Sequence, residues 1–212
     1  MNKSGVDFTK LIDIKSPFVH QVSFGVLEGG NGDGGTAFGS QKRLPTAYVH
    51  LKNYKDITDT TGLEIGNTYA LGSNDGDKEF KTNLAGLDTT LIHHLNANQD
   101  IKLQGEVFYL DHGNVQNETN NNGWGAYELF DFRLSSLWAT GFRFDYVDIL
   151  NNPTTNPKSR DLGYTGYLTF YQSEFARWRL QYSHFDLATG KTDDSVMLQG
   201  TFAIGDHKHK LQ

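Results

Sequence analysis

The sequence contains no cysteine. That excludes disulfides, thiolate metal sites and thiol nucleophiles, and it suits a chain that passes through an oxidising compartment. No run approaches the roughly 18 consecutive apolar residues of a membrane-crossing helix, and mean hydropathy is only -0.53. Positive charge is in deficit, with 19 Lys and Arg against 25 Asp and Glu and a formal net charge of -6, which argues against nucleic-acid binding. The first residues, MNKSGVDF, have one lysine and no apolar h-region behind it. For an exported protein this start implies a mature or engineered chain, or the carboxy-terminal part of a longer protein, and the latter is the expectation.

What the chain does have is alternation. Between Arg160 and Gly205, three runs of about ten residues place apolar and polar side chains at a period of two, the signature of strands. Tyr164, Leu168 and Phe170 oppose Thr165, Tyr167 and Thr169. Trp178, Leu180 and Tyr182 oppose Arg177, Arg179, Gln181 and Ser183. Val196, Leu198, Phe202 and Ile204 oppose Gln199 and Thr201. Strands of soluble sandwiches average about five or six residues, whereas about nine to eleven suit a tilted strand crossing a bilayer. Aromatic content of 13%, with Tyr 10 and Phe 14, fits aromatic rings at two membrane interfaces. Composition alone fits an ordinary all-β domain equally well.

About ten such segments follow from the pattern: 17–27, 45–54, 62–71, 83–93, 101–111, 124–134, 138–149, 163–171, 177–187 and 195–204. Residues 1–16 are an amino-terminal extension or the remnant of a preceding strand, 17–205 form the barrel, and 206–212 form a periplasmic tail. The connections alternate between long and short through the first eight. An up-and-down barrel with long outer loops and tight periplasmic turns explains this; Greek-key crossovers do not. The expected fold is therefore all-β, an up-and-down antiparallel transmembrane β-barrel or part of a larger one.

Facing follows from parity. Lipid-facing candidates are Phe18, Val22, Phe24, Val26, Ala47, Val49, Leu51, Leu63, Ile65, Ala85, Leu87, Leu91, Ile101, Leu103, Val107, Tyr109, Phe142, Phe144 and Tyr146. The opposite, lumen-lining face carries Lys52, Glu64, Asp88, Lys102, Glu106, Asp131, Arg133, Arg143, Asp145 and Arg179, with both charge signs available to pair across strands. The segment 124–134 breaks the rule, because Tyr127 and Leu129 have one parity and Phe130, Phe132 and Leu134 the other. A bulge near Leu129–Phe130 would restore the pattern. His20 and Asn67 also fall on the apolar face.

Several stretches resemble a known family. WGAYELFDF, WATGFRFDYVD, GYLTFYQSEFARWRLQYSHFD and VMLQGTFAIGDHKHK are similar to the carboxy-terminal half of the zinc-regulated TonB-dependent outer-membrane receptors, also described as porin-like proteins. Arg143-Phe144-Asp145-Tyr146, Tyr167 to Ser183 and Leu198 to His207 carry the likeness, which runs from about Pro17 onward. The resemblance implies an outer-membrane barrel, solute uptake and further strands upstream. The chain departs from it at Tyr171-Gln172, where the family often has Trp-Pro, and by showing no plug or TonB box.

Other motifs are weaker. His207 and His209 alternate in DHKH and can share a metal, against a solvated tail as the competing reading; beyond that no cofactor is expected. His93 and His94 are adjacent in a strand and point opposite ways. GSNDGD lacks the closing bidentate glutamate of a calcium loop, and EGGNGDGG lacks the Lys-Ser/Thr of a phosphate loop. Asn117-Glu118-Thr119 fits a glycosylation pattern of little weight in a bacterial protein. Three functional readings remain. The first is a porin-like or receptor-type barrel for small solutes or ions, in contact with outer-membrane lipid. The second is a structural or adhesive barrel acting through loops or a periplasmic or outer-membrane partner. The third is a hydrolase using Asp111, His112, His184 and Asp186 at loop ends. A non-enzymatic role is the expectation.

Overall fold

In the computed structural model the described residues are 4–28, 45–73, 81–112, 122–150 and 156–203. They form eleven strands: β1 Gly5–Ile12, β2 Val19–Leu27, β3 Thr46–Thr58, β4 Thr61–Ser73, β5 Lys81–Asn96, β6 Gln99–His112, β7 Asn122–Arg133, β8 Trp138–Asp148, β9 Arg160–Ser173, β10 Ala176–Asp186 and β11 Thr192–Phe202. They pair in sequence order as one sheet. Every ladder is antiparallel. About ten strands were expected and eleven are described: the additional one, β1, lies within the first sixteen residues, read from the sequence as an extension or the remnant of a preceding strand, where Lys10 interrupts an otherwise apolar set of Val6, Phe8 and Ile12.

The links fall on two ends of the sheet. The strand ends that flank the short links 13–18, 59–60, 97–98, 134–137 and 174–175 lie at one end of the sheet, and those that flank the links 28–45, 74–80, 113–121, 149–159 and 187–191, longer apart from the last, lie at the other. The three register irregularities all sit beside short turns, at Asp56/Thr58, His94/Asn96 and Ala176/Arg177. The body of each ladder is thus unbroken, and side-chain facing is preserved from β1 to β11.

Burial is inverted relative to a globular domain. Among the described residues the buried hydrophobic side chains are Ala70, Ala139 and Ala188 only, while the buried polar ones are Ser23, Thr46, Thr82, Thr165, Thr169 and Ser183. Phe142 is 48% exposed, Leu180 52% and Leu198 69%, so no second sheet covers the apolar face. By ladder register every strand-borne lipid-facing candidate lies on this one face; Phe18 precedes β2. Fully burying a side chain the size of leucine or phenylalanine is worth about 1.5–3 kcal/mol. A face of this extent left in water would forfeit most of what drives folding.

β7 corrects the bulge expectation. Its ladders to β6 and β8 run without a shift from Asn122 to Arg133, so Tyr127 and Leu129 lie on the polar face. Glu128, not a bulge, interrupts the apolar face: it stands opposite Gly105, and its carboxylate fills the space a side chain there would occupy. The two polar intruders noted in the sequence differ. His20 sits at the short-link end, with Nδ1 2.6 Å from Asn53 Oδ1 and Nε2 2.9 Å from Ser16 Oγ. Asn67 lies between Leu51 and Leu87, and no side chain among the described residues explains it as a partner.

Candidate functional site

The ten charged residues expected to line a lumen share one face by ladder register. One rung runs Lys52, Gly66, Asp88, Glu106, Tyr127, Asp145, Gly163 and Phe185. The rung two residues away carries Glu64 and Arg143, the one four residues away Lys102 and Asp131, and the one six residues away Arg133 and Arg179. A period of two within strands and unshifted pairing between them suffice to bring these side chains together from distant parts of the chain.

The β7–β10 part of this face is a ladder of arginines laid over tyrosines. The Arg143 guanidinium lies 4.2 Å from the Tyr127 ring centre, Arg179 4.1 Å from Tyr167, and Arg133 5.4 Å from Tyr171. Each arginine is also held in its plane. Arg143 donates to both oxygens of Asp145 at 2.6–3.0 Å, Arg179 Nε donates to Thr169 Oγ1 at 2.9 Å, and Arg133 Nε donates to the Ser135 carbonyl at 3.4 Å. Tyr167 donates its hydroxyl to Asp131 at 2.5 Å. A guanidinium stacked on an aromatic face keeps its N–H edge free for a further acceptor.

The Tyr167 ring lies flat because Gly141 stands across from it. A Cβ at Gly141 would come within 2.3 Å of the Tyr167 ring and 2.8 Å of the Phe130 carbonyl oxygen. Beside the ladder lies a cavity of about 630 Å³ lined by Arg143, Asp145, Tyr167, Arg179, Gln181 and Ser183 among others. Beneath it Thr165 and Ser183 share a buried hydrogen bond of 3.0 Å.

The β3–β6 part is differently charged. Glu64, Asp88 and Glu106 outnumber Lys52 and Lys102 there, whereas Arg133, Arg143 and Arg179 outnumber Asp131 and Asp145 on β7–β10. Asp88 and Glu106 are direct cross-strand neighbours, and Lys52 pairs with Glu64 at 2.9 Å. A second cavity of about 440 Å³ is lined by His50, Lys52, Glu64, Asp88, Gln104, Glu106 and Tyr127, with others. The polar face therefore carries an acidic and a basic half, joined at Tyr127, whose hydroxyl accepts from Gln104 at 3.0 Å.

The other candidate residues do not assemble. Asp111 and His112 are consecutive in β6 and face opposite ways. His184 bonds Asp194 at 2.8 Å on the apolar face, and Asp186 is engaged by Lys158 at 2.5 Å. His207, His209, Asn117 and the two glycine-rich loops lie outside the described residues. Among the described residues no three His, Asp or Glu side chains converge to hold a metal. What the sequence did not reveal is the set of tyrosines beneath the arginines. Tyr127 was misplaced by the expected bulge, and the other two are recognisable only once cross-strand register is known.

No family model matches the sequence, and no curated relative matches it. Among solved structures, the chain is similar to one described as "KdgM porin in complex with disordered oligogalacturonate", with 8% identity, 96% of this chain and 92% of that chain covered, and a TM-score of 0.42.

Proposed function

We propose that this chain forms the wall of an outer-membrane, porin-like β-barrel whose polar face conducts small polar or charged solutes. The inverted burial carries the reading: a continuous apolar face with nothing packed on it, backed by a charged face bordering two cavities. Hydrocarbon is the medium that such an exposed face suits, and a sheet closed into a barrel satisfies the backbone there. Aromatic pairs mark both ends of the apolar band. Tyr109–Trp124 at 4.8 Å sits near the long links, and Trp138–Phe170 at 4.8 Å and Trp178–Phe202 at 5.5 Å sit near the short ones. This is the placement of interfacial girdles.

In a channel, the stacked arginines and the acidic half would set a transverse field that orients charged or dipolar solutes. The protein inserted in a planar lipid bilayer is expected to give stepwise ion conductance. Full insertion with no conductance instead supports a sealed, structural barrel, a reading favoured by the ion pairs Lys52–Glu64 and Arg143–Asp145. Recovery only in the aqueous phase contradicts both.

A further inference from the structure

Two guanidiniums border the larger cavity, and they differ in what they have left to offer. Arg143 spends Nε and one Nη on the two oxygens of Asp145, so its charge is matched within the wall. Arg179 spends only Nε, on the neutral hydroxyl of Thr169, and no carboxylate among the described residues forms an ion pair with it. Asp131, across from it, is taken by the Tyr167 hydroxyl. The Nη groups of Arg179 are therefore uncommitted among the described residues. They form the fork that the two oxygens of a carboxylate fit.

The rest of the wall selects what such a carboxylate is attached to. Successive cavity-facing positions of β10 are Arg179, Gln181, Ser183 and Phe185, and Leu187 follows the strand. Ser183 is buried, and its hydroxyl is shared with Thr165 and Gln181. The wall thus changes from cationic through neutral polar to apolar toward the long-link end. There the Phe185 ring lies over Gly163, where a Cβ would stand 2.9 Å from it, and Leu187 and Val147 line the cavity beside it. The carboxylates at that end, Asp145 and Asp161, are held by Arg143 and by the Ala188 N–H at 2.6 Å, and they turn an anion's charged end toward Arg179. The Arg179 guanidinium leans over Tyr167, the ladder partner of Gln181, and from Gln181 to Phe185 is about 13 Å along the strand. Resting on the reading of this face as solute-facing, we propose that the cavity binds an organic monoanion: one carboxylate, held by Arg179, joined to an apolar body on the order of 10 Å long that lies against Phe185, Val147 and Leu187.

Isothermal titration calorimetry of the full chain, folded in detergent micelles, tests the parts separately with phenylbutyrate, acetate and phenylbutyramide; micelles without protein supply the baseline. The expected result is saturable binding of phenylbutyrate, about tenfold or more tighter than acetate, which lacks the body, and than the amide, which lacks the charge. Arg179→Gln is expected to weaken phenylbutyrate by about tenfold and bring it level with the amide, and Arg179→Lys to recover part of the loss. The Arg143→Gln/Asp145→Asn variant removes a matched pair and is expected to lose less than Arg179→Gln. Amide bound as tightly as acid, no saturable heat with phenylbutyrate, or an equal loss from the double variant overturns the proposal. Saturable binding by a protein that inserts but conducts no ions would remove the solute-passage reading and leave this site standing; conductance without saturable phenylbutyrate binding would do the reverse.

Discussion

Gly141→Leu is expected to destabilise the folded protein by about 2–3 kcal/mol. Either of two responses is costly. The new side chain enters space already held by the Tyr167 ring and the Phe130 carbonyl, and overpacking of that kind costs typically 1–3 kcal/mol. If Tyr167 moves aside instead, its hydroxyl leaves Asp131 and its ring leaves Arg179; a hydrogen bond to a charged group contributes about 1.5–3 kcal/mol. Gly166→Leu is the matched control. Gly166 lies on the apolar face beside Phe142 and Tyr182, with no heavy atom within 4 Å of where its Cβ would stand. Its replacement is expected to be neutral or mildly stabilising in lipid. Urea titration of both variants, refolded reversibly in vesicles, measures the difference; equal midpoints would mean that the Tyr167 contact does not constrain the wall.

Reversing two charges of the ladder, in the Arg143→Glu/Arg179→Glu variant, is expected to shift ion preference toward cations by on the order of tenfold at low salt. A unit charge about 8 Å from a permeating ion contributes roughly 0.5 kcal/mol in water. Two reversals change the wall by four charges, and screening at higher salt shrinks the effect. Reversal potentials in a salt gradient report it directly. Arg160→Glu is the control: this arginine stands 5.9 Å from the Tyr146 ring at the long-link end of the apolar face, and its reversal should leave ion preference nearly unchanged. An equal shift from the control would place the pathway somewhere other than along the polar face.

The facing of most strands was legible because it depends only on a period of two, which survives any uncertainty in strand ends. β8, β9 and β10 illustrate this: Phe142, Leu168 and Leu180 lie on the side their parity assigns them. Two kinds of information were not local. Glu128 reads as a parity break in β7 until Gly105, on the neighbouring strand, shows where its carboxylate lies. The arginine–tyrosine stacks likewise join β7 to β8 and β9 to β10, in a register set by turns of two to four residues. β1 read only as an extension or the remnant of a preceding strand for a third reason: it is eight residues long, and Lys10 occupies one of its apolar-face positions.

The central claim is that alternate side chains meet hydrocarbon on one face and water or counter-charge on the other. Leu180 and Gln181 are neighbours in β10; the first is 52% exposed on the apolar face, and the second lines the larger cavity. Folding free energies of Leu180→Arg and Gln181→Arg in bilayer vesicles test the claim most directly. The account predicts that Leu180→Arg loses about 2–4 kcal/mol, as a charged side chain near the bilayer midplane does, while Gln181→Arg stays close to the parent. Comparable losses, or a larger loss for Gln181→Arg, would contradict it.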